Sequence, residues 1–307
     1  MNTDMKHVIT LDIGGSHITA AVVNATTKTV YTNTIVKESF DSNEEVEEVL
    51  SLWKKVIYTC FAKADVQKLE GLAFCMPGPF DYEKGICWIK DQSKYEKFYG
   101  VDVKKAIREK MELPADFPVY FQNDADSFGI GEVYQNPAFL DKKVIAITLG
   151  TGLGACFIDH GNVALHAVGV PKDGEIYNLP YKDTMAEDYV SARGLLRNYN
   201  NKASQSVQNG LNLYELAVRN DALAIAAFQE FGKDLAAVLL PLVQEFQAEA
   251  LVFGGKIADG KDFFLPELQS LFAAHGLEPS IAISNDNEKA ALLGAANLFL
   301  AETLAEM

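Results

Sequence analysis

The chain has 307 residues, 49% of them hydrophobic and 22% charged, which is enough for two compact domains. Its formal net charge of -15 argues against a broad electrostatic grip on nucleic acid or an anionic membrane, although backbone N–H groups and a metal could still hold an anionic ligand locally. No apolar run reaches membrane-spanning length and no signal-peptide pattern opens the chain, so a cytoplasmic protein is expected, with Cys60, Cys75, Cys87 and Cys156 as reduced, mostly buried thiols.

Residues 7–23 and roughly 28–36 read as strands. The stretch SNEEVEEVLSLWKKVIYTCFAKA opens on a capping-box pattern, Ser42 to Glu45, and then places Val46, Val49, Leu50, Trp53, Val56, Ile57 and Phe61 at helical spacing. A strand at 70–75 runs into MPGPF, VDVKKAIREKM makes a short helix, and the strand FPVYFQ leads into a helix over NDADSFGIGEVY. From 143 the pattern restarts with a strand, a glycine turn and a strand. An irregular polar segment covers roughly 166–210. Two helices follow, the second (DALAIAAFQEFGKDLAAVLLPLVQEF) interrupted at Pro241. ALVFGGKI is a strand ending in two glycines, SIAIS is one more strand, and NEKAALLGAANLFLAETL closes the chain as an apolar helix. Strands alternating with helices predict an α/β protein, and the restart near 143 predicts two similar lobes. No short repeat period is present, which argues against a solenoid.

Two stretches carry a shared feature. ITLDIGGSHITAAVV drives an apolar strand into Asp12, and ITLGTGLGACFID is a second strand, glycine-rich turn and strand. Successive N–H groups in such turns form an anion-binding concavity, and glycine lets the backbone approach a phosphate closely. A carboxylate at a buried strand end is costly to desolvate unless something in solution or on a ligand meets it. NDAD offers Asp124 and Asp126 as proton acceptors for a reacting hydroxyl, while the same residues also suit a plain helix N-terminus. Gly129 and Gly131 are poor interior helix residues, which predicts that this helix runs close to other backbone.

Taken in order, LDIGGSHITAAVV, MPGPFD, NDADSFGIGE, TLGTGLGACFIDHGNV, GEIYN and VFGGKI resemble the ROK group of sugar kinases and repressors. That group lies within the actin/hexokinase/heat-shock-chaperone ATPase superfamily, and the resemblance runs over nearly the whole chain. It implies a two-lobed actin-like ATPase (ribonuclease H-like) fold with a central cleft. The first lobe would cover 1–120, completed by the helix 286–307, and the second 121–285.

The implied activity is ATP- and Mg²⁺-dependent phosphorylation of a hexose by a cytoplasmic homodimer. Asp12, Gly14, Gly15 and Ser16 resemble the first phosphate loop, with Asp12 holding Mg²⁺ through water. Gly150, Thr151 and Gly152 resemble the second phosphate loop, and Gly254 and Gly255 the turn under the adenosine. The resemblance selects Asp124 as general base. Gly78, Asn123, Asp124, Glu175, Asn178 and Glu187 would bind the sugar. His17 stands where many relatives have Lys or Asn and receives no role. Asn178 replaces the usual His, and LPYKDTMAEDYVSARG has no cysteine, so no structural zinc is expected. The first strand begins by about His7, which leaves no room ahead of it for the DNA-reading helices of repressor relatives. A sugar-binding sensor without catalysis is the alternative.

Overall fold

The computed structural model describes residues 5–300 and divides into two compact units, Met1–Gln135 with Glu288–Met307, and Asn136–Asn287. The first unit opens on the hairpin β1 (His7–Ile13) and β2 (His17–Asn24), widened by β3 (Thr29–Val30) and β4 (Val36–Ser39). Helix α1 (Val46–Ala62) leads to β5 (Gly71–Met76), and a small ribbon of β6 (Phe80–Asp81) and β7 (Ile86–Cys87) follows. Helix α2 (Val103–Met111), β8 (Val119–Asn123) and α3 (Asp124–Gln135) complete this half. The sheet order is β3-β2-β1-β5-β8, with β4 also on β2, and β1, β5 and β8 run parallel. Every residue of β5, GLAFCM, is buried, as a parallel strand covered on both faces requires.

The second unit contains β9 (Lys143–Leu149), β10 (Leu153–Asp159) and β11 (Asn162–Val163). A short hairpin of β12 (Pro180–Tyr181) and β13 (Thr184–Met185) precedes α4 (Ala186–Tyr189), α5 (Ala192–Asn200), α6 (Gly210–Val218) and α7 (Ala222–Phe246). Strand β14 (Ala250–Gly254), α8 (Lys261–Ala274) and β15 (Ser280–Ile283) follow, and α9 (Asn287–Ala295), from Glu288 on, belongs to the first unit. The sheet order is β11-β10-β9-β14-β15. Both sheets therefore share one plan: an antiparallel hairpin, then parallel strands on the side of its first member. The restart read at 143 is this repetition. Each unit has its own apolar core, Trp53, Phe74 and Phe98 in the first and Phe231, Phe253 and Phe264 in the second, all fully buried.

Four local expectations need correction. The capping box at the head of α1 is Glu45 with Glu48, and Ser42 is instead a buried residue of the preceding turn. Pro241 does not interrupt α7, which runs unbroken through it, its buried residues Leu235, Val238, Leu239 and Leu242 lying on both sides of the proline. The segment 166–210 is less irregular than its polarity suggests, since it folds into the β12–β13 hairpin, α4 and α5. Finally, α9 ends at Ala295 in a turn, and residues 301–307 of the expected closing helix lie outside the described residues. Among the described residues no helix is long and apolar enough to cross a membrane.

Candidate active site

In the first unit the site is built at the carboxyl end of β1. Asp12 pairs in register with Thr19 on β2 and Cys75 on β5, so its carboxylate leaves the sheet at the entrance to the glycine turn. It forms no hydrogen bond or ion pair within the described residues, and burial pushes its pKa up to about 7, helped by the charges of Asp124 and Glu288. Lys37 opposes that shift, but its ammonium is already paired with Glu288.

The turn closes by a bond from the Gly14 N–H to the His17 carbonyl (3.0 Å). A side-chain carbon at Gly14 would come within 2.7 Å of the His17 ring, so the ring lies over the turn. That gives His17 a packing role which sequence reasoning did not supply. The Tyr95 hydroxyl donates to the Gly14 carbonyl (2.6 Å), while Gly15 and Ser16 stay open to solvent.

Helix α3 brings its first residue to the same end of the sheet, because β8 runs parallel to β5 and β1. Asn123 caps it. The Asn123 Oδ1 accepts from the Ala125 N–H (2.9 Å) and the Asp126 N–H (3.4 Å), and its amide donates to the Tyr82 hydroxyl (3.0 Å). Tyr82 in turn donates to the Met76 carbonyl (3.0 Å) and stands 3.3 Å from where a side chain on Gly78 would begin. The Gly78–Pro79 peptide is cis. One carboxylate oxygen of Asp124 accepts from the Ala125 N–H (2.9 Å), and the other accepts from no further residue among those described. Solvent reaches this carboxylate, while the protein around the rest of it raises its pKa; the Ala125 N–H and the charge of Lys94 work the other way.

In the second unit the turn Gly150–Gly152 links β9 to β10 and is closed by the Gly150 N–H on the Gly152 carbonyl (3.1 Å). Glu187 reaches this turn. Its Oε2 accepts from the Leu153 N–H (3.1 Å) and would lie 2.9 Å from a side chain at Gly152, and Arg193 stands 3.6 Å from its other oxygen. Glu175 accepts from the Asn178 amide (3.3 Å), and the nearby Tyr177 hydroxyl is raised in pKa by burial first and then by Glu175, with Glu187 adding to it. Glu175, Asn178 and Glu187 are therefore neighbours, joined through Tyr177.

Gly254 ends β14 opposite Thr148, and Gly255 has φ +85° with the Leu149 carbonyl 2.2 Å from any added side chain. Only glycine fits that approach, and the Gly255 N–H donates to Asn287 (3.0 Å). Among the described residues no group of three or more His, Cys, Asp or Glu converges as a metal site.

Sequence reasoning missed Tyr82, Lys94, Tyr95 and Glu288. Tyr82 directly follows MPGPFD, while Lys94, Tyr95 and Glu288 come from a loop and a helix that no motif marks.

A family model described as the ROK family matches residues 8–302. A glucokinase of Halalkalibacterium halodurans is 24% identical over 70% of this chain and 69% of its own length. A xylose repressor of Caldicellulosiruptor bescii is 20% identical over 99% of this chain and 80% of its own. The crystal structure of a ROK family glucokinase from Streptomyces griseus in complex with glucose and AMPPNP superposes with a TM-score of 0.73 at 21% identity, covering 95% of this chain and 98% of that one. The fold is thus the two-lobed actin-like ATPase fold.

Proposed function

The chain belongs to the ROK family, and we propose that it is an ATP-dependent sugar kinase, phosphorylating a hexose at its 6-hydroxyl in the manner of a glucokinase. The observation that carries this reading is the pair of carboxylates at one sheet end. Asp12 is unpaired beside the first glycine turn, and Asp124, whose charge acts on it, keeps one oxygen free at the head of α3.

Phosphoryl transfer to an alcohol needs an acceptor hydroxyl held in line and a group to take its proton. Asp124 takes that proton as the sugar oxygen bonds to phosphorus, and the bond from phosphorus to the leaving ADP oxygen breaks. The N–H groups at Gly14, Gly15 and Ser16, and at Gly150, Thr151 and Gly152, hold the phosphates, and Gly254 and Gly255 lie under the adenosine. Gly78, Asn123, Glu175, Asn178 and Glu187 orient the sugar. Asn123 does so through what its capping bonds leave over, and Glu187 through the oxygen not used by Leu153.

The unpartnered, half-buried carboxylate of Asp12 fits a hydrated Mg²⁺, an ion held by few protein ligands and by phosphate oxygens. Bound there, Mg²⁺ would neutralise charge on those oxygens.

A panel of hexoses and amino sugars incubated with ATP and Mg²⁺, with products identified by mass and phosphate position, tests the reading. Glucose 6-phosphate or a related 6-phosphate is the expected product. The match to a xylose repressor over 99% of the chain favours a second reading, a sugar-binding regulator. Tight sugar binding without turnover across the panel would establish that one instead.

A further inference from the structure

We propose that Lys94 is the cationic contact for the phosphoryl group in transfer, an inference that rests on the kinase reading above. Its stem lies along the first glycine turn, with Cβ and Cδ each 3.7 Å from where a side chain on Gly15 would begin. Lys94 is half-buried, yet it forms no hydrogen bond and no ion pair among the described residues. Its surroundings are acidic, with Asp12, Asp124 and Glu288 on one side of the balance and Lys37, already paired with Glu288, on the other. A further anion brought to this centre needs a free cation. Lys94 is the lysine there that has no partner to give up.

The loop that presents it is braced. The Glu96 carboxylate accepts from the N–H groups of Asp91 (3.2 Å), Gln92 (3.0 Å) and Ser93 (3.1 Å), and Tyr95 is tied to the Gly14 carbonyl (2.6 Å). Asp91, Ser93 and Tyr95 all sit at left-handed φ, +57°, +57° and +56°. Three non-glycine residues held there are strained, and the bonds just named hold them. A charge fixed in advance beside the reacting oxygens stabilises the transfer without having to reorganise during it. Lys94 moves no proton in this scheme. Its ammonium stays protonated while Asp124 takes the hydroxyl proton, the new oxygen–phosphorus bond forms and ADP leaves.

The test compares wild type with Lys94→Met, which keeps the stem against Gly15 and removes the charge, and with Lys94→Gln should the first variant not fold. With saturating sugar and Mg²⁺, calorimetry of AMPPNP and of ADP is run beside turnover. The expected result is a fall in kcat of about 10²-fold, the scale for one lost transition-state contact. Affinity for the triphosphate analogue should drop about tenfold while that for ADP holds within about twofold, a split that a merely structural role would not produce. Lys94→Arg should recover part of both. Wild-type turnover in Lys94→Met, an equal loss for ADP and AMPPNP, or a change confined to the KM for sugar would each overturn the assignment and leave the kinase reading standing. A wild-type protein that turns over no sugar would overturn both.

Discussion

At the scale of single residues, Asp12 and Asp124 show how one fold sets two carboxylates in different surroundings. Asp124 is exposed and bonded to the helix backbone, whereas Asp12 is half-buried beside the sheet and faces like charge. Replacing Asp124 with Asn preserves shape and polarity and removes the proposed proton acceptor. We expect kcat to fall by about 10² to 10⁴ with sugar affinity far less affected, as initial rates and calorimetry would show. Unchanged activity would move the base to Asp126 or remove it. Asp12 makes a prediction about stability. Its folded pKa of about 7 lies above the ordinary 3.8, so the folded state binds the proton more tightly than the unfolded state. Its charge therefore costs folding free energy that is fully felt above about pH 7 and fades as pH falls toward 4. In Mg²⁺-free buffer, Asp12→Asn should melt higher than wild type at pH 8, and the gain should shrink steadily on acidification. An equal gain at every pH would mean that Asp12 is not held in this way.

At the scale of elements, backbone contacts decide which glycines are obligatory. Helices α3 and α9 cross so closely that a side chain on Gly131 would begin 1.8 Å from the Ala290 carbonyl oxygen, and one on Gly294 would begin 1.8 Å from that of Ser127. This is the close backbone approach that NDADSFGIGE predicted, seen at Gly131. Gly294→Ala should destabilise the protein by about 1–3 kcal/mol or more in denaturant titration, since backbone cannot yield as a flexible side chain does. Gly150→Ala is the control, because nothing lies within 4 Å of its open side. The second glycine turn leans on α4. Glu187→Ala leaves the Leu153 N–H without its carboxylate, whereas Glu187→Gln keeps an acceptor there. The KM for ATP should rise more in the alanine variant than in the glutamine variant; equal values would show that Glu187 serves the sugar alone.

At the scale of the whole molecule, the segment Gly174 to Arg197 has no cysteine, and its hold on the second unit is ordinary packing and polar contact. Ile176, Ala186, Val190 and Leu195 are fully buried, while Pro180 and Met185, which the sequence offers equally, stay exposed. Buried Asp234 on α7 accepts from the Tyr181 hydroxyl (2.8 Å) and from Lys182 (2.5 Å), and Arg197 lies over the Tyr189 ring at 4.4 Å. We expect no stoichiometric zinc by elemental analysis and no loss of structure with chelators. One tightly bound zinc per chain would remove the assignments of Glu175, Asn178 and Glu187.

What the sequence determined by itself follows from patterns that are local. Alternation of strands and helices, the restart near 143 and the glycine turns after apolar strands all depend on neighbours within a few residues, and the ordered motifs made the family readable. The structure decided what depends on long-range contact. The capping box moved to Glu45 and Glu48 once the preceding turn buried Ser42, and α7 ran through Pro241 with its buried residues continuing on either side. Asn123 became a helix cap tied to Tyr82, Glu187 a brace on the second glycine turn, and Lys94 an unpaired charge beside the first. These partners are separated by tens of residues along the chain, and a propensity or a spacing carries no information across such a gap. Only packing of the sheets and loops brings them within reach of one another.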